Sequence, residues 1–286
     1  MRFVTFHEDR RWKLGIVTPR GVVDASSLRN SPGASVAELV RAEHALLNAA
    51  HAEAADAGTV RRESDLQLGP CVPATAKIVC IGRNYREHAQ EVGNPVPETP
   101  MLFSKFGNAL AASGEHIPLH AFAEQYDYEA ELGVMIGRTA TQVGRAEALD
   151  YVFGYLNVND LSARDLQFRT SQWLLGKSLD HFLPAGPYLV TAGEVGDPQA
   201  LRIRCWVNDD LRQDASTGDM VFGVAELISY ISRYITLDPG DIIATGTPEG
   251  VILGMAEKNW LKPGDEVSVE VEGLGRLSNR MVNASG

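Results

Sequence analysis

One ten-residue stretch, residues 128–137, constrains the fold more than any other part of the chain. It reads Tyr-Glu-Ala-Glu-Leu-Gly-Val-Met-Ile-Gly. Side chains along a strand point alternately to its two faces. One face of this stretch is therefore apolar throughout, while Glu129 and Glu131 lie side by side on the other. The pattern predicts a strand that buries its apolar face.

The two glutamates allow two interpretations. In a buried environment, neighbouring carboxylates repel and raise each other's pKa unless a cation lies between them. A hard divalent ion held by carboxylate oxygens would supply that cation. Alternatively, Glu129 and Glu131 belong to a solvent-exposed strand face that binds nothing. This stretch alone leaves both interpretations open.

Composition narrows the class of protein. A chain of 286 residues with 44% apolar side chains can bury a large core and is long for a single domain. The net charge of -11 argues against a nucleic-acid or anionic-membrane partner, although a bound metal could still attract an anionic substrate. The chain has no signal-peptide pattern and no apolar run long enough to span a membrane, so the expected compartment is the cytoplasm. Cys71, Cys80 and Cys205 show no spacing typical of a disulfide framework or a zinc site.

Two domains are expected. Residues 1–72 predict a small N-terminal α+β domain with short strands and one alanine-rich helix over residues 36–57. Residues 73–286 form the predicted second domain, entered through a proline-containing linker at 70–73. Within it, the sequence Leu-x-Pro-Gly-Asp occurs at Leu237 and again at Leu261. This is turn chemistry, and it predicts two analogous turns into strands of one sheet.

A short polar helix over residues 83–91 carries the first candidate for chemistry. His88 and Glu91 are three residues apart and so share a helical face. A carboxylate beside an imidazole orients it as a general base. The break at residues 93–100, rich in proline, suggests that this helix is a movable lid. The alternative is a solvated helix on which the two residues are neighbours by chance.

Three further segments are ambiguous by themselves. The apolar strand over residues 151–160 ends at Asp160, which could cap a helix over residues 161–168. Lys177 follows Trp173 and two leucines, and it could be either buried or an ordinary solvated lysine. The loop at 245–250 could be a plain turn or could lend backbone N–H groups to an anion.

In their order along the chain and in their residues, these segments resemble the conserved motifs of the fumarylacetoacetate hydrolase family. The matching segments are Gly82-Arg83-Asn84-Tyr85 with His88, Tyr128 to Leu132, Asn159 to Gln167, Gly176-Lys177-Ser178, Leu237 to Asp241, and Thr245 to Pro248. The resemblance covers about residues 73–283. The first seventy residues resemble only loosely the small N-terminal domain that many bacterial members carry.

The resemblance implies an α+β, mainly β fold, a mixed β-sandwich roll, in a homodimer that uses Mg²⁺ or Mn²⁺. The implied metal ligands are Glu129, Glu131 and Asp160. The implied catalytic residues are His88 with Glu91 and, beside the reacting carbonyl, Lys177; the residues implied to hold substrate oxygens are Arg164, Gln167 and Thr247. The longest family members carry a further metal carboxylate upstream of the histidine, where this chain has only Ile78 to Gly82.

This resemblance implies cleavage of a carbon–carbon bond in a 2,4-dioxo acid of the acylpyruvate or fumarylpyruvate type. Water activated by His88 would attack, and an enolate stabilised by the metal would leave as pyruvate beside a carboxylic acid. Decarboxylation of oxaloacetate and isomerisation or decarboxylation of a 2-hydroxy-diene-dioate are alternatives within the family. A catalytically silent binding protein is an alternative of another class. Substrate specificity is expected in residues 93–99 and 168–175 at the rim of the site.

Overall fold

The protein has three layers: helices, a large mixed sheet and a smaller sheet. The computed structural model describes residues 1–73 and 76–284, so residues 74, 75, 285 and 286 of the predicted second domain lie outside it. The strands are β1 (Arg2–Glu8), β2 (Arg11–Thr18), β3 (Gly21–Asp24), β4 (Gln67–Gly69), β5 (Ile78–Gly82), β6 (Met101–Lys105), β7 (Leu110–Ala111), β8 (His116–Leu119), β9 (Tyr126–Asp127), β10 (Ala130–Ile136), β11 (Val152–Asn159), β12 (Ser162–Ala163), β13 (Leu183–Thr191), β14 (Arg202–Val207), β15 (Asp210–Ser216), β16 (Ile242–Ala244), β17 (Glu266–Val271) and β18 (Arg276–Asn283).

The helices are short, with α2 the longest. They are α1 (Val36–Leu39), α2 (His44–Ala55), α3 (Arg86–Glu91), α4 (Arg164–Gln167), α5 (Leu174–Lys177), α6 (Ala192–Val195) and α7 (Val224–Ser232). Turns of 3₁₀ helix lie at Ala25–Ser27, Glu63–Asp65, Gly107–Ala109, Ala148–Tyr151, Thr217–Asp219 and Ile252–Gly254. Among the described residues, no helix has both the length and the apolar character needed to cross a membrane.

Two sheets form the β-sandwich. The large sheet has the order β3-β2-β1-β13-β11-β10-β16-β5-β6, with β4 added at β1 and β7 at β13. It is mixed, because β16 and β5 run parallel while β10 and β11 run antiparallel. The second sheet has the order β15-β14-β17-β18-β8. This arrangement confirms the predicted α+β, mainly β class.

Strand β10 lies at the centre of the sandwich. Leu132 and Val134 belong to the apolar core that also contains Val269 of the second sheet. On the opposite face, Met135 belongs to a second core that contains Leu47 of α2. The predicted apolar face is therefore confirmed, but the strand is buried on its other face as well. Burial on both sides makes β10 a rigid support for the carboxylates at its start.

The first seventy residues extend the large sheet rather than forming a sheet of their own. Strand β1 pairs with β13, with Phe3 opposite Leu189. The division near residue 72 stays a prediction. The single helix expected over residues 36–57 is wrong, because α1 and α2 are separate. The buried residues keep a helical spacing through the break, so their periodicity could not mark it; they are Val36, Leu39, Val40, Leu47, Ala50 and Ala54.

The two Leu-x-Pro-Gly-Asp turns use the same local chemistry in different sheets. Asp241 accepts hydrogen bonds from the backbone N–H groups of Lys77 and Asp238 at 2.7 Å. Asp265 accepts one from the backbone N–H of Lys262 at 2.9 Å. The first turn leads into β16 of the large sheet and the second into β17 of the other sheet. The prediction of one shared sheet is therefore wrong, since a turn fixes local geometry but not the partner of the next strand.

Candidate active site

Three buried carboxylates meet where β10 begins and β11 ends. Glu129 directly precedes β10, Glu131 lies within it, and Asp160 follows β11. The antiparallel register places Ala130 opposite Asn159, which brings the three side chains together. One oxygen of each carboxylate lies within 4.8 Å of the others. The exposed-strand alternative is therefore wrong, and so is the helix-cap alternative for Asp160, because α4 begins only at Arg164 and has no side-chain cap.

Three buried cations surround two of these carboxylates. Lys177 Nζ lies 2.6 Å from Glu129 Oε2 and 2.7 Å from Asp160 Oδ2. Lys105 Nζ lies 2.5 Å from the other oxygen of Asp160. One Arg164 nitrogen lies 2.7 Å from Glu129 Oε1 and 2.9 Å from Asp127 Oδ2. Burial alone would raise the pKa of Glu129, but Lys177 and Arg164 hold it below its usual value.

Glu131 has no such partner. Among residues 1–73 and 76–284, no lysine, arginine or histidine forms an ion pair with it. Its Oε2 accepts a hydrogen bond of 2.8 Å from the backbone N–H of Gly246, which adopts φ +96°, a conformation that favours glycine. Burial and the nearby carboxylates of Asp160 and Glu129 raise the pKa of Glu131 well above its usual value. The loop at 245–250 thus lends an N–H to a carboxylate of the protein itself.

The residues present fit a divalent metal ion. Hard cations such as Mg²⁺ and Mn²⁺ prefer oxygen ligands, and three carboxylates converge here. Four buried acids face three buried bases, so one negative charge is in excess when every group is ionised; the acids are Glu129, Glu131, Asp160 and Asp127, and the bases are Lys105, Lys177 and Arg164. Glu131, the acid without a cation, is the position at which a bound ion would restore the balance.

Helix α3 presents His88 to the same cavity. His88 Nδ1 lies 2.9 Å from Glu91 Oε1, and the histidine is only 7% exposed. Because a carboxylate accepts, Nδ1 donates and Nε2 is left free to take a proton. The backbone N–H of Gly250 also donates to Glu91 at 3.0 Å, and a Cβ at Gly254 would lie 2.5 Å from the Glu91 carboxylate. The solvated-helix alternative is wrong for His88, and Glu91 is fixed from two sides.

One cavity of about 290 Å³ unites most of the predicted site residues. Its lining includes His88, Glu91, Glu129, Glu131, Arg164, Gln167, Lys177 and Thr247. Lys177 is 2% exposed, so the solvated-lysine alternative is wrong. Arg164 donates to Gln167 Oε1 at 2.9 Å, and Thr247 Oγ1 accepts from Gln213 at 2.8 Å. The catalytic and substrate-binding roles of these residues stay predictions.

Several residues of this site were not predicted from the sequence. Lys105 ends strand β6 and reaches Asp160 from a part of the chain 55 residues away. Asp127 accepts hydrogen bonds from the N–H groups of Ile252 and Leu253 while it binds Arg164. Arg83 stands inside a segment that carried the resemblance, and its place in that segment was the one available signal. The predicted rim is represented in the cavity by Asn94, Phe168 and Trp173.

Comparison with known proteins now decides the family. The model of the fumarylacetoacetate (FAA) hydrolase C-terminal domain matches residues 77–282. The chain belongs to the fumarylacetoacetate hydrolase family. This confirms the family predicted from the sequence, and the match begins just before β5.

Individual proteins match this chain along most of its length. Oxaloacetate tautomerase YisK of Bacillus subtilis is 43% identical over 222 residues, 76% of this chain and 74% of that protein. A Mycobacterium smegmatis structure named as an HpcE protein is 34% identical, with a TM-score of 0.90 and full coverage of both chains. Maleylpyruvate hydrolase of Sphingobium sp. SYK-6, solved with manganese(II) and pyruvate, is 31% identical, with a TM-score of 0.81 and full coverage of both chains.

Proposed function

We propose that the protein is a Mg²⁺- or Mn²⁺-dependent enzyme that interconverts the keto and enol forms of oxaloacetate. The observation that carries this proposal is the cluster of three buried carboxylates, of which Glu129 and Glu131 line one cavity together with the His88–Glu91 pair. An acid–base group beside a metal site suits proton transfer next to a carbonyl. The 43% identity to a protein named oxaloacetate tautomerase supports the choice of substrate.

In this proposal Glu129, Glu131 and Asp160 hold the metal, and a small 2-oxo acid occupies the cavity. When bound, the ion supplies a Lewis acid that polarises the 2-oxo group. Lys105 and Lys177 fix the two oxygens of Asp160, so the ligand set is oriented before an ion arrives. The burial of these groups keeps bulk water away from them.

His88 is the proposed proton carrier. Its Nε2 takes a proton from C3 of the keto acid as the C3–H bond breaks, and a proton is returned to the 2-oxygen to form the O–H bond. No atom is gained or lost, as tautomerisation requires. Lys177 is not suited to act as the base, because the carboxylates of Asp160 and Glu129 raise its pKa despite the opposing effect of burial. Its ammonium group instead stabilises negative charge that develops on the substrate oxygen.

A second candidate is hydrolysis of a 2,4-dioxo acid of the acylpyruvate type. The His88–Glu91 pair favours it, because the same Nε2 that accepts a proton from carbon could accept one from water. Attack of that water breaks a carbon–carbon bond and yields pyruvate and a carboxylic acid. The 31% identity to maleylpyruvate hydrolase supports this candidate more weakly than the first.

One set of assays separates the candidates. The purified protein is given Mg²⁺ or Mn²⁺, and three quantities are recorded: the absorbance of enol-oxaloacetate, CO₂ release from oxaloacetate, and pyruvate release from acetylpyruvate. We expect the enol absorbance to decay faster than with metal alone, without matching CO₂ release, and EDTA to abolish the effect. Pyruvate from acetylpyruvate at a higher kcat/KM would favour the hydrolase, and CO₂ as the main product would favour a decarboxylase.

We also propose that the protein is a homodimer, as the family resemblance implies. Sedimentation equilibrium of the metal-loaded protein should give twice the mass of the chain. A monomer at micromolar concentration would contradict this proposal without affecting the chemistry assigned to His88 and the carboxylates.

A further inference from the structure

The cavity of the proposed active site carries positive charge that no acidic residue within 1–73 and 76–284 pairs with. Arg83 and Lys258 line it together with Glu129 and Glu131. The two glutamates are buried, whereas Arg83 is half-buried and Lys258 is exposed, so these two cations mark the mouth of the cavity. The basic mouth of the cavity attracts anionic groups, whereas the acidic floor, where the metal is proposed to bind, attracts cations.

Among the described residues, Arg83 differs from the buried cavity cations Lys177 and Arg164 in having no acidic partner. Lys177 and Arg164 are both held by carboxylates at 2.6–2.7 Å. Within the part of the chain that the structure describes, the Arg83 guanidinium forms no ion pair and no hydrogen bond, and it lies 5.9 Å from the ring centre of Trp173. Partial burial lowers the pKa of Arg83 with no carboxylate to offset it. An arginine in this position has all its donors available to a ligand.

The backbone at Arg83 is held in an unusual conformation. Its φ is +56°, in the left-handed region that non-glycine residues rarely adopt. The next residue, Asn84, fixes this loop by donating to Thr245 O at 2.7 Å and accepting from the backbone N–H of Phe222 at 2.9 Å. Strain that the surroundings maintain is typical of functional positions. The loop therefore fixes the backbone from which the Arg83 side chain reaches the cavity.

We infer that Arg83, assisted by Lys258, binds a second carboxylate of the substrate at the end remote from the metal site. The inference rests on the proposed function, in which the 2-oxo acid end is held at Glu129, Glu131 and Asp160. A guanidinium group binds a carboxylate through two parallel hydrogen bonds, which a lysine cannot reproduce. The site therefore selects dicarboxylic 2-oxo acids over monocarboxylic ones of the same length.

Lys258 is the weaker member of the pair. Its Nζ donates to the backbone carbonyl of Met255 at 2.9 Å, and its side chain is exposed to solvent. Exposed charges are screened and contribute little to binding. We expect its removal to weaken dicarboxylate binding no more than about threefold, well below the effect at Arg83.

The test compares two acids that differ only in the second carboxylate, 2-oxoglutarate and 2-oxopentanoate. Calorimetry with the Mn²⁺-loaded protein measures the affinity for each. We expect the wild type to prefer 2-oxoglutarate and Arg83→Gln to lose about tenfold or more of that affinity. Binding of 2-oxopentanoate should stay within about twofold, and Arg83→Lys should recover part of the loss. Arg86→Gln, which removes an exposed arginine of α3 outside the cavity lining, is the matched control.

Kinetics with oxaloacetate give an independent reading of the same variants. Arg83→Gln should raise KM about tenfold with little change in kcat, because the second carboxylate keeps its charge throughout the reaction and the contact is lost equally from the bound substrate and the transition state. Arg83→Asn, whose side chain tolerates the left-handed backbone, checks that the effect is not misfolding. Equal loss of both acids in Arg83→Gln, or a wild type that binds them equally, would overturn the inference. Arg83-dependent discrimination without oxaloacetate turnover would instead leave the inference standing and refute the proposed function.

Discussion

Two clusters of charged side chains in this protein use the same residue types for different ends. The N-terminal cluster consists of Glu8, Asp24, Lys13 and Arg61, and the solvent-exposed Asp9 lies at its edge, 3.4 Å from Lys13. Glu8 lies 2.6 Å from both Arg61 and Lys13, and Asp24 lies 3.3 Å from Lys13. Hydrogen bonds from Arg61 and then Lys13 lower the pKa of Glu8 to about 2. Each acid of this cluster has a base, and the cluster joins β1, β2 and β3 to the segment at Arg61.

The active-site cluster is buried, unbalanced and open to a cavity. Its acids outnumber its bases, and Glu131 has no cation within ion-pairing distance among the described residues. Glu8 is fully paired with cations of the protein, so no bound ion is needed to compensate its charge. A buried ionisable side chain that lies beside a cavity and has no oppositely charged partner therefore distinguishes this binding site from a structural network. The presence of ion pairs does not, because both clusters contain them.

Glu131→Gln should produce the largest effect. It removes the carboxylate that lacks a cation but keeps an oxygen for the N–H of Gly246. We expect Mn²⁺ binding to be lost and turnover to fall by about a thousandfold or more. In EDTA at pH 7 the variant should be more stable than the wild type by about 1 kcal/mol, because folding no longer buries an unpaired carboxyl group whose pKa is raised.

Metal content by mass spectrometry, turnover of oxaloacetate with Mn²⁺, and the melting temperature in EDTA measure the three effects. Glu8→Gln is the control, since it makes the same chemical change in the balanced cluster. Retention of full metal-dependent turnover by Glu131→Gln would contradict the assignment of the metal site.

His88→Ala separates proton transfer from metal binding. The imidazole forms its hydrogen bond with Glu91 and not with any of the three carboxylates proposed to bind the metal. We expect kcat to fall about 10²–10⁴-fold while Mn²⁺ affinity stays within about threefold of the wild type. Stopped-flow absorbance of the enol and calorimetric Mn²⁺ titration give the two quantities. Unimpaired turnover in this variant would refute the role of His88 as proton carrier.

Lys105→Met tests whether the cluster is held together by its buried cations. Lys105 is 2% exposed, and its removal leaves one oxygen of Asp160 without a partner. Breaking a buried ion pair from one side costs about 3–5 kcal/mol, and we expect that loss in the free energy of unfolding in EDTA. Saturating Mn²⁺ should recover part of it, because a ligand that binds the native state stabilises it.

The matched control is Lys77→Met. Lys77 Nζ lies 2.7 Å from Asp241, but its side chain is 40% exposed, so we expect a loss of no more than about 1 kcal/mol. Denaturant unfolding of both variants, with and without Mn²⁺, makes the comparison. Equal losses of unfolding free energy in the two variants would show that burial does not increase the contribution of the Lys105 ion pair to stability.

The contrast between the clusters also explains what could be predicted from the sequence. Glu129 and Glu131 alternate along one strand, a local pattern that is visible in the residues themselves. Asp160 joins them only through the pairing of β10 with β11, and it was assigned through the family resemblance. Lys105 and Asp127 carry no local signal, because a single lysine or aspartate beside a strand is indistinguishable from a solvated residue until the chain has folded. The carboxylate triad was therefore predictable from the pattern together with the resemblance, and the cations that hold it were not.

The fold likewise has features that local sequence predicts and features that it does not. The predicted strand at 128–137 and helix at 83–91 contain the observed β10 and α3, because periodicity and turn residues act over a few positions, but the helix begins only at Arg86. The pairing of β1 with β13 joins residues almost two hundred positions apart, and no local pattern encodes it. The two Pro-Gly-Asp turns make this plain, because identical local sequences lead into different sheets.

Glu8→Gln should have the smallest effect and completes the comparison. Glu8 is 31% exposed, so solvent screens its ion pairs, and we expect a loss below about 1 kcal/mol at pH 7 with unchanged turnover. The pKa of Glu8 is lowered from 4.5 to about 2 on folding, so its contribution is complete above about pH 5 and disappears as the pH falls toward 2. The difference in unfolding free energy between the wild type and Glu8→Gln should therefore shrink on acidification. Urea titrations at several pH values measure it. A difference that grows as the pH falls, or a variant with impaired turnover, would show that the N-terminal cluster is not the purely structural counterpart of the active site.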